Sequence, residues 1–372
     1  MNEIPHMDLT ASNMPLQQEV LAKLGQMIER SEFIGGAEIE NFEKEFANYC
    51  GLPHAVACAN GTDAIALALQ VLGIGPGMVV LVPANTFIAT AEAVSMVGAT
   101  VEFVDVDDAT LTLDPLAVAK HLATRRSALP VKAMIPVHLY GQMADMPALM
   151  KLAVQYGLAV VEDSAQAHGS LLNGNGPGYY GHIATYSFYP GKNLGAFGDA
   201  GAAVTKDAAL AAHMKKLANH GRLAAKYDHE LVGYNMRMDS FQAAILRIKL
   251  RHLAEWTVAR RAKAALYRSL LQAKNVRVVE ARSGANPVYH LLAIRSSQRD
   301  AIKQALLAQG IHTGIHYPTP VPFLEAYRSL GHHKGDFPVS EQASLDILSL
   351  PLWPEISEAD IRRICEIVTA DL

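Results

Sequence analysis

A chain of 372 residues, 50% hydrophobic and 18% charged, has ample material for a buried core, which excludes a disordered or fibrous protein. A net charge of −4, with no dense run of lysine or arginine, argues against nucleic acid as a partner. The three cysteines cannot form an even disulfide framework, and every apolar run is broken before it reaches membrane-spanning length.

The N-terminal residues Met1 to His6 show no basic region followed by an apolar stretch, so the expectation is a soluble cytoplasmic protein without a membrane partner. From residue 54 onward one alternation repeats: a short Val- and Ile-rich run, a polar or glycine turn, then helical spacing. His54–Cys58 precedes Thr62–Leu72, Val79–Val82 precedes Thr86–Val97, and Val101–Val104 precedes Pro115–Leu122. Ala133–Val137 then leads to Met146–Tyr156, and Leu158–Val161 runs into Glu162 and Asp163. Strands alternating with helices predict an α/β fold with a mostly parallel sheet, whose ligands bind at the carboxyl ends of the strands.

Past residue 183 the pattern changes. Ile183–Phe188 and Ala202–Thr205 read as β segments around a glycine-rich turn, Asp207–Asn219 as a helix, and Asp239–Leu271 as one long helix linking two domains. The proline-richer remainder predicts a smaller C-terminal α+β domain. The expected division is a large domain over residues 1–245 and a small one over 246–372 that includes the long helix.

Four local signals fall at strand ends. Asn60-Gly61-Thr62-Asp63 opens a helix after a strand: glycine permits close approach, Thr62 offers a hydroxyl, and the helix start presents unpaired N–H groups, which together make a phosphate seat. An ordinary capped turn has the same pattern. Val160-Val161-Glu162-Asp163 ends a buried strand in an acid, able to keep a neighbouring ring nitrogen protonated or simply to cap a helix. Ser187-Phe188-Tyr189-Pro190-Gly191-Lys192 places a lysine in a glycine-flanked turn where desolvation favours its neutral, nucleophilic form; an exposed loop lysine is the plain alternative. A phosphate-loop NTPase is excluded, because Tyr186 stands where the first glycine belongs and Asn193 where Ser or Thr would hold magnesium. Gly233-Tyr234-Asn235-Met236-Arg237 feeds the long helix and says little alone.

Seat, acid and lysine in this chain order match a cofactor with a phosphate, a ring nitrogen and an aldehyde, and pyridoxal 5′-phosphate has all three. No metal site is expected, since His312, His316, His332 and His333 lie among Pro and Gly without a zinc-helix context. A nucleotide-sugar dehydrogenase is excluded by the lack of an early Gly-x-Gly-x-x-Gly turn.

On these residues the chain resembles the DegT/DnrJ/EryC1/StrS sugar aminotransferases, within the aspartate aminotransferase-like, fold-type I enzymes. The likeness runs from Phe33-Ile34-Gly35-Gly36 to Ser349-Leu350-Pro351. It is carried by Asn60-Gly61-Thr62-Asp63, Pro83-Ala84-Asn85-Thr86-Phe87-Ile88-Ala89-Thr90, Glu162-Asp163-Ser164-Ala165-Gln166, Ser187-Phe188…Lys192 and His316-Tyr317-Pro318. It implies that Lys192 carries the cofactor as a Schiff base, Asp163 binds the pyridine nitrogen, Phe87 stacks on the ring and Gln166 reaches the ring hydroxyl. Gly61, Thr62, Asp63 and Ser187 would hold the phosphate, with Asn235 supplied by the neighbouring subunit of a homodimer. His316 and Tyr317 are candidates for the sugar substrate.

Two departures stand out: Ser164 replaces the common Ala or Cys, and Ala200 the usual glycine of G-D-G-G. Dehydratase members replace the lysine by histidine; its retention here favours amino transfer. The expected reaction moves the amino group of L-glutamate to a nucleotide-linked keto-sugar, and the pattern including Val137-His138-Leu139-Tyr140-Gly141-Gln142 leans to a 3-keto over a 4-keto acceptor. A cyclitol aminotransferase and a non-catalytic, cofactor-binding regulator are the alternatives.

Overall fold

The computed structural model describes residues 3–222, 227–272 and 275–370. Three helices, α1 (Leu9–Asn13), α2 (Gln17–Arg30) and α3 (Ala37–Cys50), precede the first strand. On α3 the i, i+4 pair Phe42 and Phe46 is fully buried against Phe188 and Tyr186, which seats this helix under the sheet.

The large sheet holds β1 (His54–Cys58), β2 (Val79–Pro83), β3 (Thr100–Val104), β4 (Val131–Met134), β5 (Ala159–Asp163), β7 (Ile183–Ser187) and β8 (Gly201–Thr205); the two-residue β6 (Leu171–Leu172) lies outside it. Its spatial order is β1-β8-β7-β5-β4-β2-β3. All neighbours run parallel except that β8 is antiparallel to both β7 and β1. Every residue of β2 and β8 is buried, as expected for strands covered on both faces, which carry continuous apolar runs rather than alternation. Helices α4 (Gly61–Val71), α5 (Ala89–Met96), α6 (Pro115–Thr124), α7 (Met146–Tyr156) and α8 (Ala208–Ala218) supply the cover. The mostly parallel α/β architecture agrees with the sequence reading.

The expected long helix is two: α9 (Ser240–Leu250) and α10 (Leu253–Leu270). At the break His252 donates its N–H to Lys249 O, three residues back. No proline or glycine marks the site, and Leu253 at the start of α10 still packs in the core that holds Ala243 and Leu246 of α9. α9 buries Ala243, Ala244, Leu246 and Ile248 beside the large sheet and the N-terminal helices, whereas α10 buries Ala264 and Tyr267 in a second core. That second core gathers around a three-stranded sheet of β9 (Arg277–Val278), β11 (Leu292–Arg295) and β12 (Ile347–Leu350), with α11 (Arg299–Ala308) and α13 (Glu358–Thr369). The short β10 (Ala285–Asn286) pairs with β6, and α12 (Pro338–Asp346) leads into β12. Ile4 also joins this core and bridges Ile311, so the N-terminal segment crosses to the C-terminal part of the molecule. Among the described residues, no helix is long and apolar enough to cross a membrane.

Candidate active site

At the carboxyl ends of β5 and β7 a cavity of about 770 Å³ opens between the large sheet and the segments around His290 and His316. Of the residues singled out from sequence, Gly61, Thr62, Asp63, Phe87, Asp163, Gln166, Ser187, Lys192, His316 and Tyr317 all line it; Asn235 does not. Asn235 is exposed and pairs with Asn219 in an isolated antiparallel bridge.

The seat at the start of α4 is built by Asn60, whose side chain accepts the Asp63 N–H at 2.8 Å and donates to the Asp63 carboxylate at 3.0 Å. Both groups of Asp63 are thereby committed, and burial holds its carboxyl above the usual range against the pull of the Asn60 amide. The N–H groups of Gly61 and Thr62, which have no partner within the helix, are left pointing out of its positive end. Gly61 is required by contact: a Cβ there would lie 2.7 Å from Ser187 Cβ. Gly201 meets the same limit, since its Cβ would sit 2.2 Å from Asn60 O. Ala200, by contrast, is buried and has no positive φ, so the departure from G-D-G-G carries no strain. Gly61→Ala is expected to push the helix start off β7 and weaken cofactor binding at least about tenfold with the fold intact; a spectroscopic titration with pyridoxal phosphate checks this, and an unchanged affinity would contradict it.

Asp163 ends β5 buried, with its backbone clasped by Pro136 O and the His138 N–H. Its Oδ2 accepts from Thr90 Oγ1 at 2.8 Å and its Oδ1 from the Ala165 N–H at 3.1 Å. Because Thr90 donates to the acid, it accepts in turn from Thr86, 2.9 Å away. The carboxylate is thus aimed by a Thr86–Thr90–Asp163 chain. Side chains alternate across a strand, so the preceding Glu162 points to the opposite face. There it accepts from His138 Nε2 at 2.8 Å and from the Gly181 N–H at 2.6 Å, fully buried. His138 Nδ1 accepts the Ala144 N–H at 3.2 Å, which places the ring proton on Nε2. His138→Ala would strand Glu162 without this donor; a loss of about 3 kcal/mol is expected, read as a lowered denaturation midpoint, and an unshifted midpoint would contradict it.

Lys192 follows a turn closed by its own N–H to Tyr189 O at 2.8 Å, and a Cβ on Gly195 would come within 2.2 Å of Pro190 O. Burial lowers the affinity of the amine for a proton, and the Asp163 carboxylate opposes that effect. The two groups therefore face one cavity within electrostatic reach, and the lowered proton affinity of the amine favours the neutral form that attacks an aldehyde. Gln166 accepts the Tyr140 N–H at 2.7 Å and donates to Tyr317 Oη at 3.3 Å, leaving one amide hydrogen for a ligand. Tyr140 itself sits at φ 59, a strained region for a side chain, held by that bond and by its own hydroxyl donating to His316 O at 2.5 Å. Phe87 exposes its ring beside Tyr317, with centroids 6.0 Å apart.

The sequence reading did not single out as site residues His6 and Met7, which arrive from the N-terminus, Thr90, or His290, all of which line the cavity. His6 stacks on His316 at 5.7 Å, and burial pushes His316 down to about 4.

A phosphate seat, an aimed carboxylate, an exposed aromatic face and an enclosed lysine at the ends of parallel strands fit pyridoxal phosphate, and they define a fold-type I aminotransferase. The sequence profile of the DegT/DnrJ/EryC1/StrS aminotransferase family matches residues 15–369, and the chain belongs to that family. It is 43% identical over 377 residues to the UDP-N-acetyl-3-dehydro-alpha-D-glucosamine 3-aminotransferase of Acidithiobacillus ferrooxidans, covering 99% of this chain and 98% of the relative. Among solved structures it is similar to Streptomyces venezuelae DesV in complex with a ketimine intermediate (TM-score 0.95, 42% identity, 99% and 98% of the two chains). It is also similar to Bacillus subtilis NtdA with bound cofactor PMP (TM-score 0.91, 28% identity, 99% and 85%). The chain is a pyridoxal-phosphate-dependent aminotransferase.

Proposed function

We propose that this enzyme transfers the amino group of L-glutamate to a nucleotide-linked keto-sugar, with the 3-keto position favoured, and works as a cytoplasmic homodimer. The observation that carries the reading is the pairing of Lys192 with Asp163 across one cavity, in a chain so similar to a 3-aminotransferase acting on a UDP-sugar. The exposed Asn235 and the exposed apolar residues Phe33, Ile34, Phe197 and Val232 support a shared site, with Asn235 serving the neighbouring subunit. The proposal keeps a large domain over 1–245 and a small one over 246–372, with the segment around Ile4 crossing between them.

Bound in the cavity, pyridoxal phosphate supplies an aldehyde that condenses with amines and a ring that takes up electrons. Gly61 and Thr62 donate to its phosphate through backbone N–H groups, Ser187 through its hydroxyl, and Asp63 closes the rim. Phe87 stacks on the ring, Gln166 gives its remaining amide hydrogen to the ring hydroxyl, and Asp163 keeps the ring nitrogen protonated, an opposite charge at contact being worth roughly 1–3 pKa units. Lys192 would hold the aldehyde end of the cofactor, and its Nζ, when free, would serve as the base that takes up and returns a proton at the substrate. His316 and Tyr317 stand where the sugar enters.

Incubation of the purified protein with L-glutamate and a panel of 3-keto and 4-keto nucleotide sugars, with the product amine located by NMR, tests the proposal. Amination at C3 is expected. Release of 2-oxoglutarate with no sugar in the panel, or only with an inositol-derived ketone, would contradict it.

A further inference from the structure

His290 enters the cavity wall just before β11, with 7% of its surface exposed. Its Nδ1 lies 3.1 Å from Asn193 Oδ1, and the Asn193 amide nitrogen donates to Val288 O at 3.2 Å. Since the nitrogen of Asn193 is spent as a donor, its oxygen accepts, and the ring proton of His290 must sit on Nδ1. Nε2 then carries a lone pair. No described residue donates to Nε2, and the atom is not among those sealed from solvent, so the lone pair opens on the cavity. The ring also resists a second proton: burial, then Lys192, Arg260, His316 and His168, all push its proton affinity down. The clasp is tight, because a Cβ on Gly141 would fall 2.8 Å from the His290 N.

An orientation-locked acceptor beside the reactive lysine selects for a ligand that can donate. Apart from the amine that it gives up, glutamate presents, like 2-oxoglutarate, carboxylate oxygens, which only accept; sugar hydroxyls flanking a ketone donate. Resting on the functional reading above, we infer that His290 Nε2 receives a hydrogen bond from a hydroxyl flanking the keto carbon of the acceptor sugar, making His290 a specificity-determining residue of the second half-reaction. A site whose polar group is matched to a hydroxyl discriminates against analogues lacking it more strongly than an apolar wall does. The same lone pair would repel a carboxylate placed against it.

The test separates the two half-reactions. His290→Asn keeps an amide nitrogen near the Nδ1 position to hold Asn193 and removes the Nε2 acceptor. Glutamate conversion is read from the absorbance change of the bound cofactor, and the acceptor step from KM and kcat with a 3-keto nucleotide sugar. The expected result is a KM for the sugar raised about tenfold or more, with a far smaller change in the glutamate step. Of two analogues each lacking one flanking hydroxyl, one should bind wild type as poorly as the parent sugar binds the variant, and should lose nothing further in the variant. Equal losses in both half-reactions would mean His290 serves the fold or Lys192 and would overturn the inference, as would no change in either or additive losses with both analogues. Absence of glutamate conversion in wild type would overturn the functional reading itself, and this inference with it.

Discussion

Lys192→Ala is expected to bind the cofactor without covalent attachment and to lose amino transfer by ~10⁴-fold or more, about 5.5 kcal/mol of barrier. The size follows from the two roles proposed for one amine, holding the aldehyde and moving the proton that converts one substrate form into the other, a step for which a positioned base alone contributes roughly 10²–10⁴. Lys192→Arg should fare little better, because a guanidinium stays protonated in this cavity while burial drives the Lys192 amine toward neutrality. Single-turnover kinetics of cofactor conversion with glutamate measure the loss. Turnover of both substrates near the wild-type rate would remove Lys192 from the mechanism.

Asp163→Asn is the second large effect. The substitution preserves shape: Thr90, which donates to Asp163 and accepts from Thr86, can reverse its hydroxyl and accept from an amide instead. The cofactor should remain bound, held by the α4 start and Ser187. What is lost is the negative charge beside the ring nitrogen, and with it the reason that nitrogen stays protonated. A fall in kcat of roughly three powers of ten, each worth about 1.4 kcal/mol, is expected, with cofactor affinity changed far less. Unchanged turnover would contradict this role, and so would loss of the bound cofactor with no separate defect in kcat.

These residues were legible in the sequence because each lies at the junction of a strand and a turn, where local pattern and chemistry coincide. The Val-rich runs of β2 and β5 announce strands buried on both faces, and Asn60-Gly61 announces both a cap and a close approach. The break between α9 and α10 was not legible, since no proline or glycine marks it and apolar residues continue on both sides. The amphipathic α2 and α3 precede the strand–helix repeat that begins at residue 54, so that pattern does not announce them. The histidines of the cavity were hidden for a different reason. His6 and His290 meet Lys192 only because the N-terminus and the β10–β11 connection fold back over the large sheet, and pairings of such long range leave no local signal. Likewise nothing near His138 announces that it will close on Glu162, although both were quoted within motifs.

The central claim is that the amine at position 192 condenses with the cofactor aldehyde. Borohydride reduction of the purified holoenzyme, followed by proteolysis and mass spectrometry, tests it directly. The account predicts a single peptide carrying the reduced cofactor, spanning Lys192 and modified at that residue; a cofactor trapped on another lysine, or on none while the enzyme remains active, would contradict it.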